Sequence, residues 1–187
     1  MTNPYIQCPV FENNRFRLRF VENGDTDDLF LVYSDKKAWP IFNSDNCTSD
    51  FRYTKRQQME ETIAYWREEY QKQYYVRWAV VDNTSGQAVG TVELFNRQAE
   101  DFFTDCGLLR LDLRSDYETA PVITEILNLL LPDAFEMFHC RMLATKIPAD
   151  AAERKKAVEM LGFAPTEEVL VGGHDGKTYG EYHILLP

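Results

Sequence analysis

The sequence predicts an α+β fold. One mixed, mostly antiparallel sheet of six or seven strands is flanked by about four helices, in a single domain covering residues 1–187. Three observations predict it. Stretches with apolar residues at every second position alternate with stretches at helical spacing, so strands and helices share one core. Three strand patterns follow one another over residues 75–114 and read as an antiparallel meander. The third runs through a short polar turn into the longest helical pattern of the chain, and another strand follows that helix. A helical crossover lays those two strands parallel.

The elements follow in order. Arg15 to Val21 alternates Phe16, Leu18 and Phe20 with three arginines, which makes a strand with one buried face. Asn23-Gly24-Asp25 turns the chain. Asp25 or Thr26 caps a short helix over 27–34, with Leu29, Phe30 and Tyr33 inside. Residues 36–51 are rich in Asn, Asp and Ser, yet carry Trp39, Ile41, Phe42 and Phe51. A loop with that much apolar material packs down, either filling a small core of its own or lying as a lid over a substrate site. Residues 54–73 form a helix, because Met59, Ile63, Trp66 and Tyr70 recur on one face among charges. Val76, Trp78, Val80 and Val81 mark a strand over 75–82, Asn83 to Gly86 a hairpin turn, and 88–95 the returning strand with Gly90 inside it.

An acidic connection, 98–105, leads to the stretch on which the reading turns, Gly107 to Cys140. Leu109, Leu111 and Leu113 point one way and Arg110, Asp112 and Arg114 the other. After the turn at 115–119, Val122, Ile123, Ile126, Leu127, Leu130, Ala134 and Phe138 give a long helix, which Pro132 should kink near Asn128. The first amides of such a helix lack internal partners and face a positive dipole end, so this is the place for a phosphate-bearing ligand. Residues 141–147 form a strand. Asp150 with Glu153 reads as a capping box for a helix ending at Gly162. The tail, 169–186, reads as a hairpin turning at His174 to Lys177 and closing the sheet, with His183 at the surface or edge.

Composition narrows the partners. Thirty acidic residues against twenty Lys and Arg give a formal net charge of −10, so a nucleic-acid partner is not expected. No apolar run reaches the roughly 18–20 residues of a membrane helix. Met1 to Val10 is polar and shows no basic-then-apolar leader pattern, so a cytoplasmic protein is expected, as monomer or homodimer. Cys8, Cys47, Cys106 and Cys140 form no Cys-x-x-Cys, and with three scattered histidines they give no zinc spacing. No metal site is expected.

The order strand, two helices, meander, helix, strand, helix, hairpin resembles the GNAT superfamily of acetyl-CoA-dependent N-acetyltransferases. It is most similar to the branch of ribosomal-protein N-terminal acetyltransferases. The resemblance spans Arg15 to Leu186. Its best pieces are Arg17-Leu18-Arg19, Trp78-Ala79-Val80-Val81, Gly90 to Leu94, and Glu159-Met160-Leu161-Gly162-Phe163, with Asp175-Gly176-Lys177 ahead of Tyr182. It implies that the two parallel strands splay apart at their ends and leave a cleft, and that an acetyl group passes there from acetyl-CoA to a small amine or a peptide N-terminus. The alternative is a GNAT-fold module that binds a ligand or protein and has lost catalysis.

The resemblance also implies site residues. On the cofactor side these are Leu111, Leu113 and Arg114 of the central strand, then Glu118, Thr119, Ala120 and Val122 of the phosphate loop, and Arg154 at the start of the later helix. The family's Arg/Gln-x-x-Gly-x-Gly/Ala loop is degenerate here. Glu118-Thr119-Ala120-Pro121 stands at its Arg-Gly-Lys-Gly positions, with no glycine and with a proline that has no amide to donate. Glu93 and Asp112 lie on neighbouring strands and are the candidates for accepting the amine's proton, or else solvated strand carboxylates. Tyr182 is the candidate for protonating the leaving thiolate, or else a core tyrosine.

Overall fold

The computed structural model describes residues 3–187. The chain opens with β1 (Phe11–Glu12) and β2 (Phe16–Phe20), followed by α1 (Thr26–Tyr33) and α2 (Arg56–Gln71). The meander is β3 (Val76–Asp82), β4 (Ala88–Arg97) and β5 (Cys106–Leu113). Next come α3 (Ala120–Phe138), β6 (Met142–Lys146) and α4 (Ala152–Met160). The chain finishes with β7 (Ala164–Pro165), β8 (Leu170–Val171), β9 (Thr178–Tyr179) and β10 (Tyr182–Leu185). Eight strands form one sheet in the order β1-β2-β3-β4-β5-β6-β10-β7, and β8 pairs with β9 in a separate ribbon. The α+β class and the mostly antiparallel sheet are as the sequence predicts. The strand count exceeds six or seven because β1 and β7 are two residues each, too short to leave a periodic signal.

β5 and β6 are parallel and pair from Cys106–Met142 to Leu109–Thr145, where the ladder stops. β5 continues through Arg110 to Leu113 beside β4. That stretch has no strand partner on its β6 side, which is the cleft expected between the two. The two faces of β5 differ in kind. Leu109, Leu111 and Leu113, each at most 3% exposed, share one core with Ile123, Ile126, Leu127 and Leu130 of α3 and Val158 of α4. Burying each leucine contributes roughly 1.5–3 kcal/mol. The opposite face carries Arg110 and Asp112 in register with Glu93 and Thr91 of β4, and Glu93 in register with Arg77 of β3. α1 and α2 cover this polar row with Tyr33, Met59, Ile63 and Trp66. A Cβ on Gly90 would run into the carbonyl of Asp112, so β4 and β5 approach this closely only at glycine.

Four expectations are corrected. The tail hairpin does not close the sheet. Arg97 Nη2 donates to the Val171 carbonyl at 2.7 Å, and the Val171 amide donates to Asp101 at 2.9 Å. These side chains satisfy the backbone of β8, and β10 takes the place beside β6 instead. Asp150 and Glu153 form no capping box: the N-cap of α4 is Ala151, whose methyl group cannot cap, and the Glu153 carboxylate is bonded to α3 instead. Asp25 does not cap α1: its carboxylate pairs with Arg19 at 2.5 and 2.9 Å and accepts from the Glu22 amide at 2.8 Å. His183 is neither surface nor edge. It is 6% exposed, since β7 covers the outer side of β10. No helix of the described residues is long and apolar enough to cross a membrane.

Candidate active site

The cleft has two ends, and the chain builds both from charged side chains. At the first end α3 begins. Thr119 is its N-cap in extended conformation and makes no side-chain cap. The Ala120 amide donates instead to Glu153 Oε2 at 2.8 Å. Pro121 has no amide to offer. Arg154, 3% exposed, donates from Nε and Nη2 to the two oxygens of Glu118 at 2.7 and 2.8 Å. Its third nitrogen donates to the Ile41 carbonyl at 3.0 Å. Burial opposes the charge on Arg154, and the Glu118 carboxylate more than offsets it. Arg114 is turned aside: it holds Asp116 at 2.7 and 3.0 Å and lies over the ring of Tyr117. Leu111, Leu113 and Val122 are core residues, at most 6% exposed.

At the second end the buried polar row of the sheet meets residues 39–51 through Arg110. Tyr33 donates to Asp112 at 3.0 Å and shares a 2.7 Å hydrogen bond with Thr91. Arg77 lies 4.1 Å from the centre of the Trp66 ring and pairs with one oxygen of Glu93. Arg110 takes the other oxygen at 2.9 Å, and with its remaining arm donates to the Asp45 carbonyl, also at 2.9 Å. The Asp45 carboxylate holds Lys146 Nζ at 2.7 and 2.8 Å, and the Tyr182 hydroxyl reaches it at 3.3 Å. Burial raises the Asp112 carboxyl above its usual range, with Arg77 and Arg154 pulling the other way. Burial, and then the charge of Asp45, raise the Tyr182 phenol.

Residues 39–51 join the two ends. Phe42 and Phe51 are buried around Tyr33, with ring centres 5.3 and 6.0 Å from its own. Ile41 reaches Arg154, Asp45 reaches β5, β6 and β10, and Asn46 accepts from the amide of His174 at 2.9 Å. The segment therefore fills a core and straps the cleft at once, so the two roles weighed for it are not exclusive. Between the strap, the β4–β5 connection and the β8–β9 ribbon lies a cavity of about 490 Å³. Asp45, Phe95, Leu108, Arg110 and Tyr182 are among its walls.

A split parallel pair inside an antiparallel sheet, with helix α3 starting at the split, is the frame in which the comparisons place this chain. Residues 15–164 match the profile of the Acetyltransferase (GNAT) domain, which is most of the chain. This chain belongs to the GNAT acetyltransferase family. A Vibrio cholerae protein assigned as a ribosomal-protein-serine acetyltransferase superposes with a TM-score of 0.68 at 18% identity, over 100% of both chains. The ribosomal-protein-S5-alanine acetyltransferase of Vibrio fischeri gives 0.67 at 14%, over 95% of this chain and 96% of its own. A ribosomal L7/L12 alpha-N-protein acetyltransferase in complex with coenzyme A gives 0.69 at 10%, over 95% and 98%. At these identities the likeness is one of fold. Among curated proteins none matches the chain.

Within the GNAT frame, the residues at the phosphate loop can be tested for fit to a diphosphate. The glycine cradle is absent. Two anion donors are present, the Arg154 guanidinium and the Ala120 amide, and each already holds a carboxylate of the chain. These carboxylates are stand-ins for phosphate oxygens: they show that the donors face anions, and they occupy them. A diphosphate would have to displace Glu118 and Glu153 to reach this donor set. Of the three proton-transfer candidates, Tyr182 borders the cavity. Glu93 and Asp112, each 1% exposed, lie in the row beneath: Glu93 reaches the cavity wall through Arg110, whereas Asp112 faces Arg77, which is not among the wall residues. Sequence reasoning missed Asp45, Lys146, Arg110, Arg77 and Glu153. The arginines were legible as the polar side of alternating strands, but their partners were not.

Proposed function

We propose that this GNAT chain transfers an acetyl group from acetyl-CoA to a primary amine, either a small amine or a peptide N-terminus, held in the acceptor cavity. The observation that carries the reading is the position of that cavity, against Leu108 and Arg110 where β5 leaves β6. There the β5 backbone beyond Leu109 offers donors to a developing oxyanion, and the strap excludes water from the reacting groups. Confinement of amine and thioester in such a cleft supplies much of the rate. Tyr182 is the wall residue that can give its proton to the leaving thiolate, and the proton the amine loses returns to Tyr182 through the Asp45 carboxylate it is bonded to. Glu93 acts as a positioning residue, since it holds Arg110, which holds the strap. Arg154 and the Ala120 amide are the groups for the diphosphate.

A second reading, a GNAT-fold binding module without transfer, is favoured by Glu118, Glu153 and Pro121 at the cradle. Calorimetry with acetyl-CoA separates the two. The enzyme reading expects binding tighter than about 100 µM, roughly 5.5 kcal/mol, and acetylation of amines by the unaltered chain. It is abandoned for the module if neither the parent nor the Glu118→Gln, Glu153→Gln double variant binds acetyl-CoA at millimolar concentration.

A further inference from the structure

We propose that Asp45 is the anchor for the acceptor's ammonium group and that Lys146 is an internal occupant of that anchor. The inference rests on the acceptor-cavity reading above and assigns its specificity. Asp45 is 8% exposed and is one of the residues of the cavity wall. Both of its oxygens face one ammonium nitrogen, at 2.7 and 2.8 Å. The ring of Tyr179 lies 5.8 Å from the same nitrogen, and the Tyr182 hydroxyl bonds Asp45 Oδ2. A carboxylate with an aromatic face beside it is a receptor for a compact cation. A lysine of the chain fills it.

The anchor does not depend on its occupant. The Asp45 amide donates to Asn43 Oδ1 at 3.0 Å, its carbonyl accepts from Arg110, and Arg110 is fixed by Glu93. The strap therefore holds the Asp45 backbone in place when Lys146 leaves, and the Tyr182 hydroxyl still bonds the carboxylate. Lys146 is the last residue of β6, and its ammonium is a point charge on a flexible stem with 18% of the side chain exposed. It can swing out without breaking a ladder. An external amine must then outcompete a tethered one, so a bare ammonium ion gains little. An amine whose body also covers Phe95 and Leu108 gains apolar burial as well. The class selected is a primary ammonium on an apolar stem, which covers both alkylamines and peptide N-termini with an apolar first residue.

The experiment uses the whole chain without acetyl-CoA, with n-hexylammonium as probe and ammonium chloride as control. On the chain labelled with ¹⁵N-lysine, hexylammonium should shift the Lys146 Nζ resonance and ammonium chloride at equal ionic strength should not. Lys146→Met keeps the stem and removes the charge, so its affinity for hexylammonium should rise about tenfold or more. Asp45→Asn should lose binding. Hexylammonium that binds the parent while leaving the Lys146 resonance unmoved overturns the proposal, as does unchanged affinity in Asp45→Asn. The NMR arm needs no variant to fold. Failure of acetyl transfer leaves this test standing, because binding alone is read. An amine that is acetylated without engaging Asp45 sinks this inference and spares the enzyme reading.

Discussion

The donor and acceptor ends of the cleft use the same device, an internal carboxylate on an internal cation, with different outcomes. At the donor end Arg154 is a planar fork, 3% exposed, bonded to two separate segments at once. At the acceptor end Lys146 is a single nitrogen on a flexible stem, bonded to Asp45 of the cavity wall. A bidentate buried guanidinium cannot leave without stranding Glu118 and freeing the strap at Ile41. A lysine can leave by rotating its own bonds. On the proposed reading, the donor end therefore opens only when another anion replaces Glu118 on Arg154, and the acceptor end when one side chain rotates.

Stability offers the sharpest break of that contrast. Arg154→Ala strands a nearly buried carboxylate and should cost about 3–5 kcal/mol, measured by urea unfolding. Lys146→Met should cost only about 1–2 kcal/mol, and equal losses would remove the distinction. Ligand affinity gives the next largest effect. Glu118→Gln removes the competing charge from Arg154, and acetyl-CoA should then bind about tenfold tighter, or about 1.4 kcal/mol. Calorimetry that finds no change would place the cofactor elsewhere.

Acid sensitivity is the third way to test it, because it asks whether the charged ends dominate. His183 points away from the cavity and lies near Lys155 and Glu159 of α4, with no hydrogen-bond partner on either ring nitrogen. Burial lowers its pKa below the ordinary 6.5. The unfolded chain then takes up the proton first. The stability due to the neutral ring is present above pH 6.5 and is lost as pH falls towards the lowered value, by at most about 1.4 kcal/mol per pH unit. Thermal unfolding of the parent and of His183→Leu should diverge in slope below pH 6.5. Parallel slopes would assign the acid sensitivity to the carboxylates of the cleft. The smallest effect belongs to the exposed pair of Arg114 and Asp116. Asp116→Asn should change stability by under about 1 kcal/mol. If it raises acetyl-CoA affinity as much as Glu118→Gln does, Arg114 rather than Arg154 is the main diphosphate donor.

The elements that were legible carry their own period. Met59, Ile63 and Trp66 lie on one turn-spaced face and are buried. Leu109, Leu111 and Leu113 alternate with Arg110 and Asp112, and the two sets enter different layers. Gly162, at φ of 90°, ends α4 as its position in the chain suggests. The two-residue strands and the separate β8–β9 ribbon left no such trace, since pairing over two residues has no period to detect. His183 alternates with Tyr182 as expected, and β7 decides that its face is covered.

The site divides along the same line. The sequence by itself determined the order of elements, the helix start at Ala120 without glycine, and the carboxylates and arginines available on β3, β4 and β5. Only the tertiary structure decided which of these charges meet. Lys146 and Asp45 stand 101 residues apart in the chain, and Arg154 and Glu118 stand 36 apart. Short-range preferences act over a turn or a strand pair, whereas a charge pair across the cleft exists only after the sheet has brought its two ends together. Glu153 shows the physical reason on one side chain: its spacing suits the cap of its own helix, and the open amide of α3, a better-placed donor in the folded chain, takes it instead.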